Sequence, residues 1–142
     1  MKQEVVLSIR GRQSYADQEP EIIELVTVGT LEQTARGWDL QYQETDLTGL
    51  EGVTTTFRVE GDKITLLRTG KLNSEMVFQE GVVHDSLYRM EFGALMLTVC
   101  ASRVNTHLSI NGGVIDLVYT IEIEQTEAGV IDYHLEVTPK KN

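Results

Sequence analysis

Between Val114 and Glu124 the chain reads Val-Ile-Asp-Leu-Val-Tyr-Thr-Ile-Glu-Ile-Glu, and its odd positions, Ile115, Leu117, Tyr119, Ile121 and Ile123, are all large and apolar or aromatic. The even positions, Asp116, Val118, Thr120, Glu122 and Glu124, are mostly polar. A period of two is the mark of a strand with one face in a core and the other in water. The same alternation recurs along most of the chain. The nearest approach to a helix, residues 30–36, is too short to be stable alone. The sequence therefore predicts an all-β protein.

Turn chemistry separates the alternating segments. The first covers 3–12, with Val5, Leu7 and Ile9 on one face, and a polar connection follows over 13–20. In the second, near 21–34, Val26 and Val28 share a face with Ile22. Trp38, Leu40 and Tyr42 align in the third, and Val53, Thr55, Phe57 and Val59 in the fourth, with a loop over 46–52 between them. Glu60-Gly61-Asp62-Lys63 is a hairpin turn in which Gly61 supplies the positive φ. Ile64 and Leu66 continue the inward phase until Arg68 and Gly70 end it. Met76 and Phe78 mark a short strand that turns at Gly81, segments 83–90 and 94–101 are joined around Phe92-Gly93, and Asn111-Gly112-Gly113 is a strong hairpin signal. Ile131, Tyr133, Leu135 and Val137 line up in the last strand.

One place breaks the rhythm. Leu95, Leu97, Val99 and Ala101 are apolar at odd positions, but Val104, Leu108 and Ile110 are apolar at even ones. A continuous strand cannot hold both sets on one face, so a bulge or bend is predicted near Ser102-Arg103. Eight to ten antiparallel strands with short connections point to a closed up-and-down β-barrel, because closure removes exposed edges. A sandwich is the alternative.

At 142 residues the chain is read as one domain, 1–142, long enough to fold without metal or disulfide. Its single cysteine, Cys100, sits in a strand-like stretch and agrees with a reducing cytoplasm. The first residues enter a strand directly, without a signal-peptide core, and no run is long and apolar enough to span a bilayer. The net charge of −10 argues against a nucleic-acid partner, since the only close basic pairs are Arg10/Arg12 and Lys140/Lys141.

Few residues carry recognisable chemistry. His84, His107 and His134 have no metal-ligand spacing, and no nucleophile elbow or phosphate loop is present. No cofactor is called for. What stands out is a polar set in phase with the apolar faces: Tyr42 and Glu44 after Trp38 and Leu40, Arg68 after Ile64 and Leu66, and Tyr119 within an aliphatic face. Continued alternation points all four into the barrel, where an Arg68–Glu44 pair with tyrosine hydroxyls would satisfy the need of buried charges for partners. The bland alternative puts them at strand ends, closing the barrel mouth or facing solvent.

Tyr42-x-Glu44-Thr45, Gly52-x-x-Thr55, Ile64 with Arg68-x-Gly70, Met76-x-Phe78-x-x-Gly81, Tyr88 with Phe92-Gly93, and Ile115-x-Leu117-x-Tyr119 occur in this order. In order and spacing they resemble the YwiB-like bacterial proteins, a domain of unknown function with a calycin-type β-barrel. One departure is Met90-Glu91, where the family pattern has Thr-Pro, and it bears on the local turn. The resemblance implies a lipocalin-like barrel in a cytoplasmic bacterial protein and implies no activity.

Three functions follow as expectations. The first is a barrel that binds a small amphiphilic or carboxylate ligand through Tyr42, Glu44, Arg68 and Tyr119. The second is an enzyme similar in kind to phenolic acid decarboxylases, with Arg68 as carboxylate anchor and Glu44 as acid/base. The third is a structural or protein-interaction barrel, for which a homodimer is an open alternative.

Overall fold

The computed structural model describes residues 2–14, 18–124 and 126–140, so the middle of the 13–20 connection and Lys141 of the terminal basic pair lie outside the described residues. Ten strands follow one another: β1 (Lys2–Ser14), β2 (Glu21–Gln33), β3 (Gly37–Gln43), β4 (Val53–Glu60), β5 (Lys63–Gly70), β6 (Asn73–Gln79), β7 (Val83–Met90), β8 (Gly93–Ser109), β9 (Gly112–Ile123) and β10 (Thr126–Pro139). A single 3₁₀ turn, Asp46–Thr48, interrupts the β3–β4 loop. Residues 30–33 of the short helix-like stretch belong to β2. Each strand pairs antiparallel with its sequence neighbours, and β1 pairs with β10 to close the ring. The protein is a closed, ten-stranded, up-and-down barrel. Among the described residues no helix is long and apolar enough to cross a membrane.

Alternation decides what fills the barrel. Leu7, Leu31, Leu40, Phe57, Ile64, Phe78, Ile115, Leu117 and Leu135 are fully buried on the inner faces of eight strands. Two aromatic pairs span the interior: Phe57 meets Tyr133 edge-on, with centroids 6.3 Å apart, and Phe78 meets Tyr119 at 4.4 Å. Such contacts add about 0.5–1.5 kcal/mol to the burial of the rings.

In β2 the face shared by Ile22, Val26 and Val28 is the outer one, with Val26 70% exposed. Register explains this. Ile9 faces Leu25 and Leu7 faces Thr27 across the β1–β2 ladder, and residues directly opposite point to the same side of a sheet. The inward phase of β1 therefore commits the odd residues of β2 to the core.

The broken rhythm of β8 is a bulge, with the register against β9 shifting between Ala101 and Arg103. It turns Val104 and Leu108 back onto the core, while Ile110 sits exposed in the following turn. The Val104 amide released by the bulge donates to the Glu80 carboxylate at 2.8 Å. Where Met90-Glu91 departs from the family pattern, β7 and β8 join by a tight two-residue turn, Glu91-Phe92, closed by the Met90–Gly93 pair. At the β8–β9 hairpin, Gly113 has φ +147°, and a Cβ there would lie 1.7 Å from the His107 carbonyl oxygen.

One joint of the ring is incomplete. β6 and β7 share only two register pairs, Asn73–Arg89 and Ser74–Tyr88. At the far end the turn between them is tied instead to β8, through a bridge from Glu80 to Ala101 and a 3.0 Å bond from the Gly81 amide to the Ala101 carbonyl. Residues 75–79 and 83–87 have no ladder between them, which leaves a bounded opening in the hydrogen bonding of the barrel wall.

Candidate functional site

Five residues on five successive strands stand in one lateral row. Tyr42 on β3 faces Thr55 on β4, Thr55 faces Arg68 on β5, Arg68 faces Ser74 on β6, and Ser74 faces Tyr88 on β7. All five side chains lie on the inner face, so the alternating apolar code is replaced at this level by a polar belt around half of the barrel. Glu44 stands one row nearer the end of the barrel that carries the β3–β4 loop.

Above the belt is a cavity of about 270 Å³. Ile9, Ile23, Leu25, Leu50 and Ile131 give it apolar walls, and Tyr42, Glu44, Thr48, Arg68, Tyr88 and Tyr133 converge on it. Gly11 faces Tyr133 across the β1–β10 ladder, and the ring lies over it. The volume is at the lower edge of the ~300–1,000 Å³ range of small-molecule sites.

The four residues singled out from sequence divide. Tyr42 and Glu44 are buried, and both line the cavity with Arg68. Tyr119 is 3% exposed and packed against Phe78, outside the cavity wall, although it contributes to the field at Arg68. The expected direct Arg68–Glu44 pair is not formed. Glu44 Oε2 accepts from the Thr55 hydroxyl at 2.6 Å and Oε1 from the Thr48 hydroxyl at 3.0 Å, and the Tyr42 hydroxyl lies beside this carboxylate. Geometry is the reason. β4 stands between β3 and β5, which places those strands about 9.6 Å apart, and Thr55 occupies the intervening position. Arg68 stands beside Tyr133 and acts on its hydroxyl electrostatically, while its own Nε is sealed from solvent without an acceptor.

Burial pushes the Tyr42 hydroxyl far above its ordinary pKa, and Tyr133 and Glu44 add to this. Burial likewise raises Tyr133, against the opposing pull of Arg68. At Arg68 burial works against the charge, and Tyr133, Tyr42, Tyr119 and Glu44 oppose it, so that the pKa stays above its ordinary value. The site at neutral pH is thus a fixed cation beside neutral phenols and a carboxylate engaged by hydroxyls.

Thr55, Ser74, Tyr88 and Tyr133 were not marked by the sequence reading. Tyr133 carried the same signal as Tyr119, a polar tip on an inward face between Ile131 and Leu135. Thr55→Val keeps the shape and removes the 2.6 Å donor to Glu44. It is expected to destabilise the protein by about 2 kcal/mol, the cost of leaving a buried charged acceptor short of a bond, as measured by urea unfolding.

The histidines lie elsewhere. His134, on the outer face of β10, contacts Asp116 across the β9 ladder at 2.5 Å and Glu136 at 3.2 Å. Among the described residues no three His, Cys, Asp or Glu side chains come together as a metal site. The bond to Asp116, then that to Glu136, raises the His134 pKa above its ordinary 6.5. Below the unfolded value the imidazolium is present in both states and its contribution is complete. As pH rises through the higher folded value, the contribution is lost. The melting temperature should therefore fall as pH is raised from 6.5, and His134→Gln should flatten that slope. The exposure of the pair keeps the effect under about 1 kcal/mol.

A family model described as "Domain of unknown function (DUF1934)" matches residues 7–137. The crystal structure of the ywiB protein from Bacillus subtilis aligns with a TM-score of 0.86, over 99% of this chain and 94% of that one at 20% sequence identity, which shows a common fold. No curated protein matches.

Proposed function

The chain belongs to the DUF1934 family, a domain of unknown function, and from its own geometry we propose that it binds a small carboxylate with a short apolar body inside the barrel. The observation that carries this reading is Arg68. It is a held cation, with no carboxylate in salt-bridge contact among the described residues and with its Nε unpartnered, at the wall of a cavity whose other side is formed by Ile9, Ile23, Leu25 and Ile131. An unpaired buried donor on a charged group is costly, and a ligand carboxylate would supply the missing acceptor. Tyr42, Tyr88 and Tyr133 frame that position.

Closure with ten strands gives a wider interior than the eight of lipocalins, which lets a cavity coexist with a packed aromatic core. In this reading the barrel works as calycin-type barrels do, through the mouth. Taking ~30 Å³ for a water-sized group, 270 Å³ holds about nine, the size of an octanoyl or phenylpropanoyl body. The lone thiol of Cys100 suits a reducing compartment. Proton-transfer chemistry at Glu44 is the weaker reading, because both of its oxygens already accept hydroxyl hydrogens.

Calorimetric titration of delipidated protein tests the proposal. Octanoate and 3-phenylpropanoate should bind at least tenfold more tightly than octanol and octylamine, which share the body and lack the anion. Equal affinities, or no carboxylate binding up to millimolar concentration, would overturn it.

A further inference from the structure

Arg68 borders two spaces. One is the interior cavity, and the other is an outer groove of about 500 Å³ lying over the β6–β7 opening. The groove carries Asn73, Glu75, Asp85 and Arg89 beside Leu67, Val77 and Leu87.

Four side-chain polar atoms are buried without a partner among the described residues: Arg68 Nε, Ser74 Oγ, His84 Nε2 and Ser86 Oγ. They are not scattered. Ser74 faces Arg68 across the β5–β6 ladder, and His84 and Ser86 follow on the inward parity of Tyr88, along the edge of the opening. Ser74 is only 7% exposed, and it and Ser86 both line the groove. An unsatisfied buried hydroxyl costs about 1–3 kcal/mol, so several at one edge ask for an occupant. The missing β6–β7 ladder adds backbone groups to the same edge. A plain fatty or aryl acid, lying wholly in the cavity, would leave all of these except Arg68 unused.

We propose that the opening is the second half of the ligand site and takes a polar group attached next to the ligand's carboxylate. This rests on the cavity reading above. The ligand is then apolar at one end, anionic in the middle and polar at the other end, as in an N-acyl amino acid. Its acyl chain fills the cavity, its carboxylate meets Arg68, and its side chain enters the opening between Ser74 and Ser86. Ser86 lies two residues along β7 from the Arg68–Ser74–Tyr88 row, or about 7 Å. That reach suits a side chain of glutamine's length.

The test compares N-octanoyl-L-glutamine with octanoate by calorimetry on the native protein, on Ser86→Val, which fills the opening, and on Ser74→Ala, which removes a hydroxyl without adding bulk. The native protein should prefer N-octanoylglutamine by tenfold or more. Ser86→Val should abolish that preference with octanoate affinity unchanged, and Ser74→Ala should reduce it at least threefold. Equal native affinities, with the opening holding water only, overturn the inference while leaving the cavity reading intact. Equal loss of both ligands in both variants also overturns it, since the serines would then be acting on the cavity. Failure of N-octanoyl-L-glutamine alone to bind overturns this inference only, and failure of both probes overturns both readings together.

Discussion

Arg68→Met is expected to abolish selective carboxylate binding while leaving the barrel folded. The charge-assisted bonds it removes are worth about 1.5–3 kcal/mol, which corresponds to a loss of roughly ten- to a hundredfold in affinity for octanoate. Octanol, which gains nothing from the guanidinium, should bind as before. Stability should move by no more than about 1 kcal/mol, because two effects oppose. Removing Arg68 costs its attraction to Tyr133 and to Glu44, a carboxylate already hydrogen-bonded by Thr48 and Thr55. It also relieves the enclosure of a charge whose Nε has no acceptor. Titration of the variant, with thermal melting as the folding control, checks both halves. If octanoate and octanol lose affinity alike, Arg68 is holding the wall in shape and does not recognise the anion.

Gly113→Ala should have the largest effect on the fold itself. Two penalties coincide at this position. Its φ of +147° lies where a Cβ is disfavoured, and that Cβ would sit 1.7 Å from the His107 carbonyl oxygen across the β8–β9 ladder. Relief requires the hairpin to open, so the expected cost is on the order of 3 kcal/mol or more. Gly61 is the control. It also has a positive φ, +63°, but nothing lies within 4 Å of its would-be Cβ, and Gly61→Ala should cost only about 1–2 kcal/mol. Urea unfolding of the two variants separates steric collision from backbone preference. Similar losses would show that the collision is absorbed by local movement.

These two variants mark what the residues disclose and what they do not. The Asn111-Gly112-Gly113 turn, the β8 bulge and the phase of eight strands follow from residue type and period, because burial of one face forces apolar side chains to every second position. The orientation of β2 does not. Its two faces are both apolar in part, and only the ladder with β1 chooses between Leu25 and Val26. The site is legible to the same degree. Tyr42, Glu44 and Arg68 stand out as polar residues in an inward phase, but their meeting with Tyr133 and their separation by Thr55 depend on lateral register, which no single strand encodes. The β6–β7 opening is the least legible feature. Met76, Phe78, Ser86 and Tyr88 alternate like any paired strands, and the lost hydrogen bonds reflect how the turn at Glu80 is drawn away to β8.

The joint between β1 and β10 has a consequence for how the ring forms. Nine strand pairs join segments adjacent in the chain, but this one brings Val5 to Pro139. Closing a loop of that span rather than a ten-residue hairpin costs about 2 kcal/mol more in chain entropy, so this joint carries the largest closure cost of the ring. Once made, it is secured by ten register pairs and by the Lys140–Glu4 ion pair at 3.2 Å. The β6–β7 joint inverts this. It is local and quick to form, yet it is held by two pairs. The seam that is costliest to close is thus among the most extensively paired in the finished barrel, and the least paired joint is a hairpin between neighbours in the chain.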